Sequence, residues 1–472
     1  APGRQIQNED SGMIRLDQHF SARTTAFLRF SADEADSTLP SGALNAASDT
    51  RTHLKNGVAE LLHVFSPTVV NEAKFGVNQD VYHTASLSPL SFSVAIPGFS
   101  KLISAKTSDA AGTTYSWIDD LTWVKGRHIL KAGVQVRLIH MNQGNSQDGT
   151  LTYSSLSNFS GNVMDNASIT GILPLKRMRK TQNYAYIQDE FRVTSVSPST
   201  WACAIRFLMC FTKWITGPYP SISKHVAGIA RLGRSLLTPR MNDFDPRVGI
   251  AWAHGTTVIR AGAGIYHSDG QLDDQNLPIA NDVQRYSLTK SGSPGLSYPV
   301  DPFLQSAAGI LTPRSMYRNR KDMYVSSWTA SVERTLPGNI VGNVSYAGNK
   351  GTDLLTTTYT NVIDPLTGLR PYPDFGIVEF RKNDSNSTFH AMQLSARRAF
   401  QRDWLLSANY MWSHSINDGA VGGGEAVPPQ NVSCRACDKA SSDQDVRSVF
   451  NTSVGYALPF GTGKRFLASR GI

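Results

Sequence analysis

Residues 389–413 read FHAMQLSARRAFQRDWLLSANYMWS, and this stretch decides the fold class. Its second half places Leu406 and Tyr410 on one face of a strand and Ser407 on the other. The first half alternates in the same way, and residues 400–403 supply a tight turn between the halves. A period of two over about ten residues, with aromatic side chains near the ends, is typical of a barrel strand that faces lipid outside and water inside.

The run from Leu130 to Leu138 shows the same alternation without a break, because aliphatic side chains alternate with Lys131, Gly133, Gln135 and Arg137. A charge on the lipid face near the midplane costs about 2 to 4 kcal/mol, so we assign the charged face to the lumen. The side chains predicted to face the lumen are Arg15, Lys131, Gln135, Arg137, Arg247, Gln393 and Arg397. Those predicted to face lipid are Leu130, Val134, Val136, Trp328, Leu406, Tyr410 and Trp412.

Tryptophans recur near the ends of the predicted strands. An amphipathic ring is favoured at the level of the lipid headgroups, which predicts two aromatic girdles. In a soluble β-sandwich the same side chains would lie in the core, but the opposite faces of many strands are polar, which disfavours a sandwich. The tryptophans in question are Trp117, Trp123, Trp252, Trp328, Trp404 and Trp412.

The links between the predicted strands alternate between tight turns and long polar connections. The tight turns fall near residues 22, 66, 126, 197, 255, 337, 402 and 461. This alternation predicts an all-β, up-and-down antiparallel transmembrane barrel with about fifteen strands. Because single-chain barrels normally close with an even number of strands, and the chain starts at Ala1 without Met or a signal peptide, we expect a partial barrel. We treat residues 1–472 as one barrel domain.

Composition argues against several other classes of protein. No window has the roughly 18 consecutive apolar residues that a membrane helix needs. The net charge of +9 comes from thinly spread Lys and Arg, so we expect no nucleic-acid partner. The chain has no nucleophile elbow, HExxH or paired acidic motif, so we expect neither an enzyme nor a cofactor.

Cys434 and Cys437 form a lone CxxC in a long connection. A zinc site needs four ligands, and no second CxxC or HxxxH accompanies this pair, which makes it a weak candidate for a metal site. A local disulfide and two free thiols are the alternatives. The histidines are scattered, and we expect them at strand ends or in the lumen.

Several motifs resemble the TonB-dependent outer-membrane receptors, specifically the Oar-like group found in acidobacteria. They recur in the family's order along most of the chain: YIQDEFRVT at 186–194, PRVGIAW at 246–252, SYAGNKG at 345–351 and YMWSHSI at 410–416. The resemblance implies an outer-membrane barrel of 22 strands, surrounded by lipid, with an N-terminal plug that this chain lacks. It also implies TonB-driven uptake of a bulky extracellular solute, such as a siderophore, an oligosaccharide or a peptide.

Residues 199–240 depart from this family's pattern, and a shifted reading frame there is our hypothesis. The connections that we expect to bind solute are 269–321, 353–386 and 417–443. The rival functions are an adhesin-like barrel that does not transport, and a soluble all-β binding protein.

Overall fold

The computed structural model describes residues 4–40, 47–87, 90–104, 107–193, 202–216, 243–268, 284–306, 310–311, 314–316, 321–373, 376–401, 404–419, 429–460 and 466. The strands in chain order are β1 (Ile6–Ser21), β2 (Thr24–Pro40), β3 (Ala47–Ser66), β4 (Val69–Ser86), β5 (Ser93–Ala95), β6 (Ser108–Lys125), β7 (His128–Asn145), β8 (Asp148–Thr152), β9 (Asn166–Thr170), β10 (Leu173–Arg192), β11 (Ala202–Thr216), β12 (Asp243–Phe244), β13 (Arg247–His254), β14 (Thr257–Ser268), β15 (Gln284–Thr289), β16 (Ile310–Leu311), β17 (Arg314–Met316), β18 (Met323–Leu336), β19 (Ile340–Thr360), β20 (Val378–Gln401), β21 (Trp404–Asn417), β22 (Ala440–Ser441) and β23 (Ser448–Tyr456). The helices are α1 (Leu156–Ser160), α2 (Asp301–Ser306) and a 3₁₀ turn at Arg435–Asp438. No helix within these ranges is both long and apolar enough to cross a membrane.

Eighteen strands form one sheet, in which β12, β17 and β22 have only two or three residues, leaving fifteen long strands. Each long strand pairs antiparallel with the next long strand along the chain, as in the pairing of β6 with β7. Among the described residues β1 pairs only with β2, and β23 only with β21, so the sheet is open between these two edges. The predicted fold class and the predicted number of strands are confirmed.

Tight turns join the long strands at one end of the sheet and long connections join them at the other. Gly126 and Gly255 adopt φ values of 59° and 55° in two of these turns, a conformation that glycine reaches without steric cost. The turns near 22, 66, 126, 255 and 337 fall where the sequence predicts them. The described parts of the long connections therefore start at the opposite end of the sheet from these turns.

The wall of long strands is a single layer, and this explains where its apolar side chains lie. Val134, Val248 and Phe450 are exposed on one face because no second layer covers them. A soluble β-sheet would bury such a face against another sheet or a helix. Exposure of a continuous apolar face is instead typical of a wall that lipid covers.

The strands are longer than the alternation of side chains predicts. They extend into the polar residues around 33–51 and 349–388, because β2 continues to Pro40 and β3 starts at Ala47, while β19 continues to Thr360 and β20 starts at Val378. Backbone pairing does not require an apolar face, so it continues where both faces meet water. The predicted solute-binding connection 353–386 is thereby reduced to about 361–377.

The long connections are not all loops, and sequence reasoning missed the structure that they form. Five short strands from three different connections make a second sheet in the order β16-β15-β9-β8-β5. We call this sheet, with α1, α2 and the described residues of the same three connections, the connection domain. It contains nearly all of the buried apolar side chains of the described residues: Phe92, Val94, Leu151, Tyr153, Met164, Ala167, Ile169, Leu288, Leu296 and Val300.

The segment that departs from the receptor pattern still joins the wall. The backbone of β11 pairs with β10 from Ala204 to Thr216 and with β13 from Ala202 to Leu208. Residues 199–201 and 217–240 lie outside the described residues. The hypothesis of a shifted reading frame stays a prediction.

Candidate functional site

The register of the sheet sorts the predicted site residues onto two opposite faces. Side chains of directly paired residues project to the same side of a sheet. One row of paired residues runs from Lys131 through Gln188 and Leu208 to Arg247. Followed strand by strand, the pairing places all seven predicted lumen residues on one face and all seven predicted lipid residues on the other.

The polar face carries charges that pair with one another within a strand and between neighbouring strands. Nη2 of Arg15 lies 2.7 Å from Oδ1 of Asp17. Nζ of Lys74 lies 2.7 Å from the carboxylate of Glu72 and 3.5 Å from that of Glu60. Paired and partly exposed charges of this kind suit a surface that meets water or another hydrated protein surface rather than acyl chains.

A tyrosine, a glycine and an aspartate from three neighbouring strands pack together on the polar face. The hydroxyl of Tyr186 on β10 donates a hydrogen bond to Oδ1 of Asp120 on β6, at 2.7 Å. Gly133 on β7 lies between them, and a Cβ added there would be 2.5 Å from Cε1 of Tyr186. The absence of a side chain at Gly133 is what lets the ring cross β7 to reach the carboxylate.

The opposite face is mostly apolar and aromatic, with a few polar pairs. Trp117 on β6 and Phe75 on β4 face each other at 5.2 Å between ring centroids, and Trp412 on β21 is 55% exposed. Asn71 donates a hydrogen bond to Asp119 on this same face. The alternating pattern did not single out Asp119, because one polar residue does not change the period of its strand.

The connection domain is held together by its apolar core and by a few specific hydrogen bonds. Ser155 caps α1 by accepting from the amide of Asn158 at 3.1 Å. The carboxylate of Asp165 accepts from the amide of Ser154 at 2.6 Å, and this bond holds the pKa of Asp165 below its usual value. The amide Nδ2 of Asn162 donates to the carbonyl of Tyr298, which ties two of the three connections together.

A second group of connections meets at the side chain of Arg435, which is only 10% exposed. One guanidinium nitrogen donates to the carbonyl of Thr357 at the end of β19, at 3.1 Å. Another donates to the carbonyl of Asp418 after β21, at 3.4 Å, and Nε lies 3.7 Å from a carboxylate oxygen of Asp384 on β20. Arg435 therefore joins the ends of three wall strands, and we call this arrangement the Arg435 junction.

The two cysteines of the CxxC flank this arginine. Cys434 and Cys437 are joined by a disulfide with 5.4 Å between their Cα atoms. Both sulfurs are used in that bond, so the structure gives the disulfide alternative rather than the metal site. Among the described residues no group of three or more His, Cys, Asp or Glu side chains is placed to hold a metal ion.

The comparison that decides the family covers most of the chain. The model of the family described as outer membrane beta barrel domain matches residues 1–196 and 216–472. The chain belongs to the outer membrane beta barrel domain family. The prediction of an outer-membrane location is confirmed by this match. The interval left out, 197–215, overlaps the start of the segment that departs from the receptor pattern.

Solved structures of outer-membrane barrels share the fold at low sequence identity. The outer membrane transporter YddB from Escherichia coli is 12% identical with a TM-score of 0.62, over 96% of this chain and 55% of that one. The ferripyoverdine receptor of the outer membrane of Pseudomonas aeruginosa is 10% identical with a TM-score of 0.53, over 88% of this chain and 50% of that one. The siderophore receptor PiuA from Acinetobacter baumannii is 9% identical with a TM-score of 0.52, over 96% of this chain and 62% of that one.

These likenesses show the fold of this outer-membrane barrel domain, and the chain spans between half and two thirds of each solved structure. No curated protein sequence matches the chain. Of the connections predicted to bind solute, 269–321 contributes β15, β16 and α2 to the connection domain, and 417–443 contributes the Arg435 junction. Residues 269–283 and 420–428 lie outside the described residues.

Proposed function

We propose that the chain is the barrel of a TonB-dependent outer-membrane receptor that takes up a bulky solute. The observation that carries the proposal is the asymmetry of the wall, which has one apolar face, one face of paired charges, and folded connections at one end only. A barrel of this kind captures solute at the folded end and releases it at the end with tight turns. The family match supports the membrane location. The ferripyoverdine receptor and the siderophore receptor PiuA share the fold, which makes siderophores one solute class to test.

The paired charges of the polar face support a second part of the proposal, that a plug occupies the lumen. Arg15, Asp17, Glu60, Glu72 and Lys74 offer both signs of charge within three rows of paired residues. Such a surface can bind a hydrated domain without leaving an unpaired charge. The plug and the TonB-contacting segment are expected from the resemblance.

The experiment uses the full-length protein in outer-membrane vesicles and the purified periplasmic domain of TonB. We expect a one-to-one complex after chemical crosslinking, and loss of that complex when the plug-bearing part of the protein is deleted. A full-length protein that is folded in the membrane but forms no complex with TonB would contradict the proposal. In that case the adhesin-like function becomes the better account, and adhesion of cells that display the protein would be measured.

A further inference from the structure

A groove of about 480 Å³ crosses the apolar face of the wall, over strands β14, β18, β19, β20 and β21. Its floor lies at two small side chains, Ala261 and Ala330, which are directly paired. The same row of paired residues continues through Tyr346 and Met392 to Trp412. The groove exists because alanines occupy this row on two strands while larger side chains flank it.

The row below the alanines is aliphatic and forms one side of the groove. Ile259 pairs with Val332, and Val332 pairs with Val344. All of these side chains lie on the face that is opposite to the paired charges. The groove is therefore lined almost entirely by carbon atoms across five strands. Five strands have four spacings of about 4.8 Å, so the groove is roughly 19 Å long.

The end of the groove towards the long connections is polar. The hydroxyl of Tyr346 and Nδ1 of His390 are 2.7 Å apart. Nδ1 of His414 lies 3.0 Å from a carboxylate oxygen of Asp445, and Nη2 of Arg447 lies 3.3 Å from Nε2 of His414. Nε of Arg447 lies 2.9 Å from a carboxylate oxygen of Asp445, and the side chain of Arg447 is 56% exposed, so the rest of its guanidinium can also reach a group outside the protein.

We propose that this groove binds an acyl chain of an outer-membrane lipid and that the phosphate of the same lipid lies beside Arg447 and His414. An amphiphile matches the site because the groove is apolar along its length and polar at one end. Arginine is well suited to phosphate, which it can bind through two parallel hydrogen bonds. The inference rests on family membership, which places the chain in the outer membrane, and on the assignment of the apolar face to lipid. It holds whether or not the protein transports a solute.

The test fills the groove and leaves the rest of the apolar face unchanged. The variant Ala330→Trp puts a large ring on the floor, and Ala132→Trp on β7 is the matched control, because Ala132 lies on the same face outside the groove. The full-length protein is reconstituted in vesicles of phosphatidylethanolamine and phosphatidylglycerol. A small share of the phosphatidylglycerol carries a photoactivatable group in its acyl chain, and adducts are mapped by mass spectrometry after irradiation.

We expect adducts to concentrate on the peptides that contain Met392 and Trp412. A ring on the groove floor displaces at least two methylene groups of the chain, at about 0.8 kcal/mol each, so Ala330→Trp lowers these adducts about tenfold. Ala132→Trp leaves them unchanged. Arg447→Gln lowers them as well, because the phosphate loses its charged partner.

Adducts spread evenly over all strands of the apolar face would overturn the proposal, and so would unchanged labelling in Ala330→Trp. A second copy of the protein seated on the groove would also overturn it. That arrangement gives dimers in native mass spectrometry and no adducts at Met392. Folding of each variant is checked by its heat-dependent migration in gels, and Ala261→Phe replaces Ala330→Trp if that variant does not fold.

Discussion

Two glycines of the wall differ in what surrounds them. Substitution by valine should therefore destabilise the protein at one of them and be tolerated at the other. Gly133 lies under the ring of Tyr186, whereas a Cβ added at Gly57 meets no atom within 4 Å. We expect Gly133→Val to displace Tyr186 and break its hydrogen bond to Asp120, at a cost of about 1 to 3 kcal/mol.

Gly57→Val is the control for that substitution, since Gly57 lies on the apolar face, where an extra aliphatic group is tolerated. The measurement is urea unfolding of the two variants in the same lipid. Equal stability of Gly133→Val and Gly57→Val would contradict the prediction, because it would show that Tyr186 does not require a glycine at position 133.

The Arg435 junction makes a second prediction at the scale of one side chain. Arg435→Ala removes hydrogen bonds to two carbonyls and leaves the carboxylate of Asp384 with fewer partners, which costs about 1 to 3 kcal/mol. We expect faster hydrogen exchange at residues 355–358 and 384–386. Arg51→Ala is the control, because the side chain of Arg51 is exposed and its ion pairs contribute about 0 to 1 kcal/mol. An equal change of exchange rate in both variants would contradict the claim that Arg435 stabilises the ends of these strands.

One carboxylate contributes a pH-dependent part of the stability of the connection domain. The bond from the amide of Ser154 lowers the pKa of Asp165, so ionised Asp165 stabilises the domain at all pH values above its ordinary pKa of about 3.9. This contribution is lost as pH falls through the lowered pKa of the folded state. We expect the protection of peptides from 148–170 against hydrogen exchange to fall below about pH 4.

Asp165→Asn isolates this effect, because asparagine cannot ionise but has nearly the same shape. The variant should show weaker protection at neutral pH and no further loss of protection in acid, after correction for the intrinsic exchange rate. A variant that still loses protection below pH 4 would assign the acid response to another group.

The elements show how much of this fold can be predicted from sequence. The run from Leu130 to Leu138 predicts a strand and the side of each of its residues, because the period of two is set by the backbone itself. The connection domain could not be predicted, since its core brings together residues as distant as Phe92, Met164 and Val300. Short strands from three connections carry no period long enough to recognise.

The same reasoning explains what sequence could say about the candidate site. The division into two faces follows from local alternation, and the register separates the fourteen residues in the same way. Which face meets lipid stays a prediction. The Arg435 junction depends on contacts between segments about 80 residues apart in the sequence, Thr357 and Arg435. The groove on the apolar face depends on the register of Ala261 with Ala330, which no single strand reveals.

For the whole molecule, the proposed membrane barrel and its function depend on which face of the wall meets lipid. The direct measurement places a spin label at each position from 130 to 138 of the full-length protein in vesicles, in a background where the four natural cysteines are serine. The ratio of collision rates with oxygen, which enters lipid, and with a water-soluble nickel complex is measured at each site. We predict a high ratio at 130, 132, 134, 136 and 138 and a low ratio at the positions between them. A ratio without a period of two, or a high ratio at 131, 135 and 137, would contradict the account.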